Sequence, residues 1–241
     1  MDWAGEFVLG RAWAAYRGSS ADNSPHSHAT LQVAIAHNDP VVIQRPGAEP
    51  VIGERLLVKP NVIHQLSPIS MITLIFIEPQ TEIARRLLEQ AGNDDVTPIG
   101  DSPELFGPAC SLVDGLAMLD YATTVPAKID ARLQGALDFL SEASGRRAIS
   151  RAAEHAGIST ARLRALADDQ LGTSLTAWLG WRRMERAGIA LRTGASLAEA
   201  AFDAGFADQA HLSRATRQMF GITPGTAGGV VRSQAIPSIP S

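Results

Sequence analysis

The sequence predicts an α+β protein, with a β-rich amino-terminal half followed by an all-α carboxy-terminal half. Short runs of Val, Ile and Leu separated by Gly and Pro fill residues 6–78, as is typical of strands joined by turns. From Thr81 onward the hydrophobic residues recur with the period of a helix, and residues 126–220 continue this pattern with Gly at intervals. The charge also changes along the chain, because residues 1–125 carry a net charge of −8 and residues 126–241 a net charge of +4.

This uneven charge changes what the whole-chain value implies about partners. The chain contains 21 basic and 25 acidic side chains, and a net charge of −4 taken alone argues against a nucleic-acid partner. An acidic half joined to a basic half instead suggests two domains with different partners. The basic half is then the candidate for binding phosphate groups.

Three further properties predict a protein of the cytoplasm. No apolar run approaches the roughly 18 residues of a membrane span, and the acidic first residues differ from the basic start of a secretory signal. The single cysteine, Cys110, excludes an internal disulfide and a cysteine-based zinc cluster. We expect Cys110 to lie in an apolar core rather than to act as a redox sensor.

The elements can be placed in order from the same patterns. A helix beginning near Thr81 puts Ile83, Leu87 and Leu88 on one face. Residues 93–103 indicate a loop or linker, and a helix over residues 105–119 is a candidate for joining two copies of the chain. The strands are expected around residues 31–35, 40–43, 55–58 and 71–77.

The carboxy-terminal half contains an internal repeat. Gly157 and Gly205 are 48 residues apart, and Gly172 and Gly221 are 49 apart. Alanines precede the first glycine of each pair in both copies. Self-similarity at a fixed spacing predicts two copies of one supersecondary unit.

Each copy has the signals of a helix, a tight turn and a second helix. Ser196 and Glu199 form a capping box at the start of the first helix of the second copy. Gly205 supplies the backbone conformation that ends this helix, and Asp208 can cap the next one. Ser159 is the corresponding cap in the first copy. The sequence therefore predicts two helix-turn-helix units.

A connecting helix is predicted between the two units. Residues 174–192 would span about 28 Å at about 1.5 Å per residue. Neighbouring major grooves on one face of DNA are about 34 Å apart, so such a helix can hold two recognition helices on successive grooves. Arg182, Arg183 and Arg186 on this helix are either phosphate contacts or part of an ordinary solvated face.

The motifs of this region resemble those of a known family. The segments 204–214, beginning Ala204-Gly205-Phe206, and 220–224, ending Thr223-Pro224, are similar to the DNA-binding domain of the AraC/XylS transcriptional regulators. The resemblance implies recognition helices near residues 160–170 and 208–219, and a double-stranded DNA operator as partner. The residues it implies for DNA contact are Thr160, Arg162, Arg164, Arg182, Arg183, Asp208, Gln209, His211, Arg214 and Arg217.

This chain departs from the family pattern mainly in its first unit. Ala165 and Ala167 stand where the family usually has Arg and a large aromatic residue, and Thr216 stands where it usually has Phe. Asp168 and Asp169 add negative charge beside the first recognition helix. We therefore expect the first unit to be less basic and less well packed, and the second to carry most of the specificity.

The amino-terminal half resembles a cupin barrel over residues 5–80. His26-Ser27-His28 followed by Gln32, and Pro60 followed by His64, are similar to the two cupin motifs. The resemblance implies a cupin-like β-barrel that acts as a sensory or dimerisation domain. Its implied effector pocket is lined by His26, His28, Gln32 and His64.

The chemistry of these residues leaves two interpretations open. His26 and His28 would point to one face of a strand, so that with His64 they could bind a divalent metal. Gln32 stands where metal-binding cupins usually have Glu, and a straight strand would put it about 13 Å from His28. In the other interpretation, which we favour, the histidines line a ligand pocket.

Together these observations predict a sequence-specific DNA-binding transcriptional regulator controlled by a small-molecule or metal effector, with a homodimer as one option, and not an enzyme. The alternatives are a metal-dependent cupin enzyme with a helical appendage, and a ligand-binding protein that has lost its DNA function. The predicted domains are a cupin-like sensory domain over residues 1–92, a linker and connecting helix over 93–125, the double helix-turn-helix domain over 126–226 and a tail over 227–241.

Overall fold

A computed structural model describes residues 2–100, 112–142 and 147–223 of the chain. The described residues form two compact units, of which the first contains residues up to Ala127 together with those from Thr216 onward. The second unit is Lys128–Ala215. Cys110 and the predicted tail lie outside the described residues.

Nine strands form two antiparallel sheets in the described part of the first unit. The larger sheet has the strand order β1-β2-β8-β3-β6-β9, and the smaller has the order β5-β4-β7. The mixed α+β class with a β-rich amino-terminal half is confirmed, whereas the two separate sheets do not confirm a closed cupin-like barrel. The strands are β1 Ala4–Leu9, β2 Trp13–Ser20, β3 Leu31–Ala36, β4 Val41–Gln44, β5 Val51–Gly53, β6 Arg55–Val58, β7 Gln65–Leu66, β8 Ile69–Ile77 and β9 Val96–Pro98.

Helix α1, Glu82–Ala91, covers part of the core that the larger sheet forms. The side chain of Thr81 accepts a hydrogen bond from the Ala84 amide and so caps the start of this helix. Ile83 and Leu87 are buried beside residues of the sheet, and Leu88 packs against the same cluster. The predicted apolar face of this helix is confirmed.

The segment predicted as a linker contains a short strand. β9 pairs with β6 at the edge of the larger sheet, with Leu57 opposite Thr97. Three residues ending in a proline carry no periodicity that the sequence could reveal, and proline is tolerated at such an edge. The next described helix, α2 Leu112–Ala122, overlaps the helix predicted over residues 105–119, most of whose first half lies outside the described residues.

Six helices account for the rest of the described chain: α3 Ala131–Glu142, α4 Ala148–His155, α5 Thr160–Leu171, α6 Leu175–Arg192, α7 Leu197–Asp203 and α8 Gln209–Phe220. Helices α4 and α5 form the first helix-turn-helix, and α7 and α8 form the second. Gly157 and Gly205 adopt positive φ angles of 65° and 80° in the two turns, as the repeat predicts. The repeat is therefore one of structure as well as of sequence.

The first helix-turn-helix is packed more tightly than its sequence suggests. Ala167 is fully buried in a cluster that also contains Leu137 of α3 and Trp178 of α6. The second helix-turn-helix has a smaller cluster, in which Phe206 and Leu212 are buried beside alanines of α7. We therefore do not see the loose packing expected around Ala167, because α3 and α6 contribute bulky residues to the same core.

The capping box of α7 provides a test of how the second unit is built. Ser196 accepts a hydrogen bond from the Glu199 amide at 3.3 Å, and Glu199 accepts one from the Ser196 amide at 2.7 Å. We expect Ser196→Ala to lower the free energy of unfolding by about 1 kcal/mol in urea titrations, because the mutation removes the acceptor that caps the helix. Ser196→Asp is the control, since it keeps the acceptor, and equal losses in the two variants would contradict the assignment.

None of the described helices combines the length and the apolar character needed to cross a bilayer.

Candidate DNA-binding surface and histidine cluster

Helix α5 exposes the arginines predicted to read bases in the first unit. The side chain of Ser159 caps the helix by accepting a hydrogen bond from the Arg162 amide at 3.1 Å. Thr160 is half-buried in the first turn, whereas Arg162 and Arg164 are exposed. The opposite face is buried in the core through Leu163, Leu166 and Ala167.

Acidic residues offset the positive charge of this exposed surface. Asp168 is exposed one turn after Arg164, a spacing at which helix side chains face each other. Asp169 is exposed as well. The two aspartates balance the charge of the two arginines, so α5 offers a phosphate backbone no net attraction.

Helix α8 differs because it has no acidic residue between its first and last positions. Gln209, Arg214 and Arg217 are exposed, and their spacing places them on one side of the helix. Leu212 and Thr216 are buried on the other side. The exposed side of α8 therefore combines a net positive charge with a side chain that can bind a base edge.

Two of the residues predicted to contact DNA have structural contacts at the start of α8. The carboxylate of Asp208 accepts a hydrogen bond from the His211 amide at 2.6 Å, which makes Asp208 a helix cap. The Nδ1 atom of His211 accepts a hydrogen bond from the Ala207 amide at 3.3 Å. A neutral His211 then carries its proton on Nε2 and can donate it to a base or a phosphate.

The arginines of α6 form a compact positive group. Arg182 makes an ion pair with Glu185 at 2.6 Å and lies over the ring of Trp178, with 5.8 Å between the guanidinium carbon and the ring centroid. Burial, and then the nearby charges of Arg182 and Arg183, lower the pKa of Arg186. Arg183 is half-exposed. Of these arginines, Arg182 is the most engaged within the protein.

The predicted histidines come together in the first unit. His26 and His64 pair through two main-chain hydrogen bonds of 2.9 Å, and the centroids of their rings are 4.5 Å apart. The ring of His28 lies 5.3 Å from that of His64. His64 is fully buried, and His28 and His26 are 3% and 9% exposed. These three residues form what we call the histidine cluster.

Main-chain carbonyl groups fix the proton of each imidazole in the histidine cluster. The Nδ1 atoms of His26, His28 and His64 each lie 2.9 Å from a carbonyl oxygen two residues away in the chain. A carbonyl can only accept, so each Nδ1 donates and each neutral ring keeps a lone pair on Nε2. This is the tautomer that a metal ligand bound through Nε2 requires.

Burial keeps the histidine cluster neutral. Burial, with a smaller contribution from the charge of His26, lowers the pKa of His28 to about 4. Burial also lowers the pKa of His26, and burial followed by the charges of the other two histidines lowers that of His64 well below its usual value. The Nε2 atom of His64 is buried without a hydrogen-bond partner among the described residues. A buried lone pair of this kind is costly unless a cation or a proton donor meets it.

The donor set fits a divalent transition metal. The three histidines each offer one nitrogen within 4.8 Å of the others. Nitrogens that share a tetrahedral zinc at about 2.0–2.1 Å are about 3.4 Å apart, so small side-chain adjustments are enough. Neutral imidazoles favour zinc, nickel, copper or iron over magnesium and calcium, which prefer oxygen ligands.

Gln32 lies closer to the histidine cluster than a straight strand would allow. The chain bends at Ala29 and Thr30, before β3, and brings the Gln32 side-chain oxygen to 2.9 Å from the His28 Nε2 atom. Because His28 donates through Nδ1, its Nε2 atom accepts, and the Gln32 amide must turn its NH₂ group toward the ring. Gln32 therefore contacts the same nitrogen that His28 would offer to a metal.

The helix predicted to join two copies of the chain has exposed apolar residues. Met118 and Tyr121 of α2 are 43% and 76% exposed, and Val125 follows them at 49%. Together with Arg86 of α1 they line an open groove. Self-association through this helix stays a prediction.

Comparison with known proteins gives the same division of the chain. A family described as a helix-turn-helix domain matches residues 152–227. No curated protein matches the chain significantly. The apo form of a ToxT variant from Vibrio cholerae shares the fold with a TM-score of 0.58 and 10% identity, over 90% of this chain and 96% of ToxT.

Two further solved structures are similar to all or part of the chain. Wild-type ToxT from Vibrio cholerae bound to an unsaturated fatty acid aligns with a TM-score of 0.55 and 10% identity, over 90% of this chain and 95% of ToxT. A regulator with an AraC-type DNA-binding domain from Chromobacterium violaceum is 26% identical over 39% of this chain and 86% of its own, with a TM-score of 0.35.

The repeated helix-turn-helix, the basic exposed side of α8 and the family match define a DNA-binding transcription regulator. Its DNA-binding domain belongs to the AraC-type helix-turn-helix family, which confirms the resemblance found in the sequence. The remainder of the chain has the fold of ToxT, a protein of the same two-part organisation, with a β-rich amino-terminal part and a helical carboxy-terminal part.

Proposed function

We propose that this protein reads two successive major grooves of an operator and that a divalent transition metal in its β-rich unit controls the binding. The observation that carries the proposal is the repeat of α4–α5 by α7–α8 around α6. Helix α6 has 18 residues, so it extends about 27 Å, close to the separation of neighbouring grooves. The family match over residues 152–227 supports the same role.

The two recognition helices would contribute differently to specificity. Arg214 and Gln209 are exposed on a helix without acidic residues, and Arg and Gln can bind guanine and adenine edges through paired hydrogen bonds. His211 would donate through Nε2. Arg162 and Arg164 on α5 read bases against the charge of neighbouring aspartates, so α8 provides most of the discrimination.

The remaining predicted contacts would position the protein on the DNA backbone. Arg217 and Arg183 are accessible to phosphates, and Thr160 lies in the first turn of α5, where amides and hydroxyls commonly bind phosphate. Arg182 must leave Glu185 to do the same. Asp208 acts indirectly, because it caps the helix that carries the base-reading side chains.

The histidine cluster supplies the effector site in this proposal. His26, His28 and His64 would hold the cation through Nε2, and the ion would satisfy the buried lone pair of His64. The ion would replace the Gln32 amide on the Nε2 atom of His28, and the released side chain would remain beside the site. We assign the ion no catalytic role, because the chain that carries it also carries a DNA-reading domain, and an ion that favours one state of a regulator is sufficient to control binding.

Selection of bound sequences from a random DNA pool tests the proposal. The full-length protein is used at a stated salt concentration, once with Zn²⁺ and once with a chelator. We expect a site with two enriched blocks about 10 base pairs apart and an affinity that differs between the two conditions. Enrichment of no sequence would overturn the DNA-binding role. An unchanged affinity would overturn the metal as effector, and a repeat with a fatty acid then tests the class of ligand that the ToxT structure contains.

A further inference from the structure

The end of α8 forms part of the surroundings of the histidine cluster. The amide and the hydroxyl of Ser24 both donate to the carbonyl of Gly221, at 3.0 and 3.2 Å. The amide of Ser27 donates to the carbonyl of Gln218 at 3.3 Å. All these residues belong to the first unit, which includes the last five residues of α8. The loop that carries His26 is therefore bonded to this helix end through the main chain.

Gly221 fits against this loop only because it lacks a side chain. Its φ angle is 72°, and a Cβ atom at this position would lie 2.4 Å from the carbonyl oxygen of Ser24 and 2.9 Å from Nδ1 of His26. The same Ser24 carbonyl accepts the Nδ1 proton of His26 at 2.9 Å. Gly221 thus packs directly on the hydrogen bond that sets the tautomer of one candidate metal ligand.

A second line of contacts reaches His28. The ring of Phe220 meets that of Phe76 edge to face, with 5.8 Å between centroids. The ring of Phe76 meets that of His28 in the same way at 5.1 Å. Phe220 and Gly221 are therefore connected to two of the three histidines, Gly221 directly and Phe220 through a single aromatic ring.

We propose that Phe220 and Gly221 are positioning residues of the metal site, so that binding of the cation and docking of the end of α8 stabilise each other. A metal on Nε2 makes the Nδ1 proton of His26 a stronger donor to Ser24, which fixes the loop against which Gly221 packs. Coupling between two binding events is reciprocal, so a docked helix end must also raise the affinity for the metal. This inference rests on the metal-binding part of the proposed function.

The coupling would act on DNA binding through a continuous helix. Residues Gln209–Ala215 of α8 belong to the second unit and carry most of the base-reading side chains, while the rest of the helix belongs to the first unit. Holding one end of a helix restricts the whole helix. The metal would therefore act on the second recognition helix at its carboxy-terminal end, away from the bases it reads.

A comparison of two glycines tests the proposal. Gly172 ends α5 as Gly221 follows α8, and its φ angle of 63° is similar, but a Cβ atom there meets nothing within 4 Å. Gly172→Ala and Gly221→Ala therefore introduce similar backbone strain, and only the second disturbs the loop of His26. The affinity of each full-length variant for Zn²⁺ is measured by competition with a chromophoric chelator.

We expect Gly221→Ala to weaken Zn²⁺ binding by about 10- to 100-fold, as changes around metal ligands usually do, and Gly172→Ala to leave it within about twofold. Phe220→Ala, which introduces no clash, is expected to weaken binding as well and serves if Gly221→Ala does not fold. Zn²⁺ should also slow hydrogen exchange of the Ser24 and Gly221 amides in the unaltered protein. Unchanged Zn²⁺ affinity in both Gly221→Ala and Phe220→Ala would overturn the coupling alone, whereas absence of Zn²⁺ binding by the unaltered protein would overturn the metal effector as well.

Discussion

Replacing Arg214 with alanine is expected to weaken binding to the selected operator by about 5- to 150-fold, the equivalent of about 1–3 kcal/mol for one paired contact to a base. Arg214 is exposed on α8, on a surface without acidic residues, so its loss removes a base contact without unfolding the helix. Fluorescence anisotropy with the selected site, at fixed salt, measures the change. Discrimination at one base pair should relax together with the affinity.

Two other arginines give controls for this result. Arg192 is exposed in the last turn of α6, outside both recognition helices, and Arg192→Ala should leave the affinity within about twofold. Arg217→Ala should weaken binding to all sequences alike and make the dependence on salt less steep by about 0.9 per phosphate lost. Operator binding by Arg214→Ala that equals the unaltered protein would show that α8 does not read bases as we propose.

Loss of His64 is expected to have the larger effect on metal binding. His64→Ala should weaken Zn²⁺ binding by more than about 100-fold, because changes outside the ligands already cost about 10- to 100-fold. His64 is the fully buried member of the histidine cluster, and its Nε2 atom has no hydrogen-bond partner among the described residues. Competition with a chromophoric chelator gives the affinity, and the Zn²⁺-dependent rise in melting temperature gives an independent measure.

The choice of control matters because His64 also packs against its neighbours. His37 is an exposed histidine of the same unit, bonded to Thr73 at 2.8 Å, and His37→Asn should bind Zn²⁺ like the unaltered protein. His26→Asn removes a second candidate ligand at the edge of the cluster, and we expect it to reduce affinity too. If Zn²⁺ binds His64→Ala and His26→Asn as tightly as the unaltered protein, the histidine cluster does not hold the metal.

Local signals made the helical half predictable from the sequence. Ser159, Ser196 and Asp208 cap helices where the sequence places them, and Gly157 and Gly205 take the left-handed conformations that end helices. Each of these features depends on a few neighbouring residues. A repeat of such features at a spacing of 48 or 49 residues then identifies the architecture without knowledge of any long-range contact.

Long-range contacts limited what could be predicted of the amino-terminal half. The spacing of His26 and His28 suggests a shared site, but the approach of His64 depends on an isolated bridge between distant segments. The position of Gln32 depends on a bend that no local pattern marks. Whether strands close into one barrel depends on pairings among all of them, and the two sheets seen here follow from those pairings rather than from any one strand.

The contact between Gly221 and the loop of His26 carried no signal in the sequence. Gly221 already has a local explanation as the residue that follows α8 in the left-handed conformation, just as Gly172 follows α5. The second requirement, a close approach to Ser24, involves residues almost 200 positions earlier. A glycine with two independent reasons to be a glycine cannot be distinguished from one with a single reason until the chain is folded.

The composition of the first unit has a consequence for how the protein is made. That unit combines residues up to Ala127 with residues from Thr216 onward, so its two parts leave the ribosome at different times. Synthesis at about 5–20 residues per second separates them by several seconds. During this interval the first 127 residues are already available to fold, while the loop of His26 and the ring of Phe76 still lack the partners that arrive with Phe220 and Gly221. The site for the ion is therefore finished last, after the helices that read DNA have been synthesised.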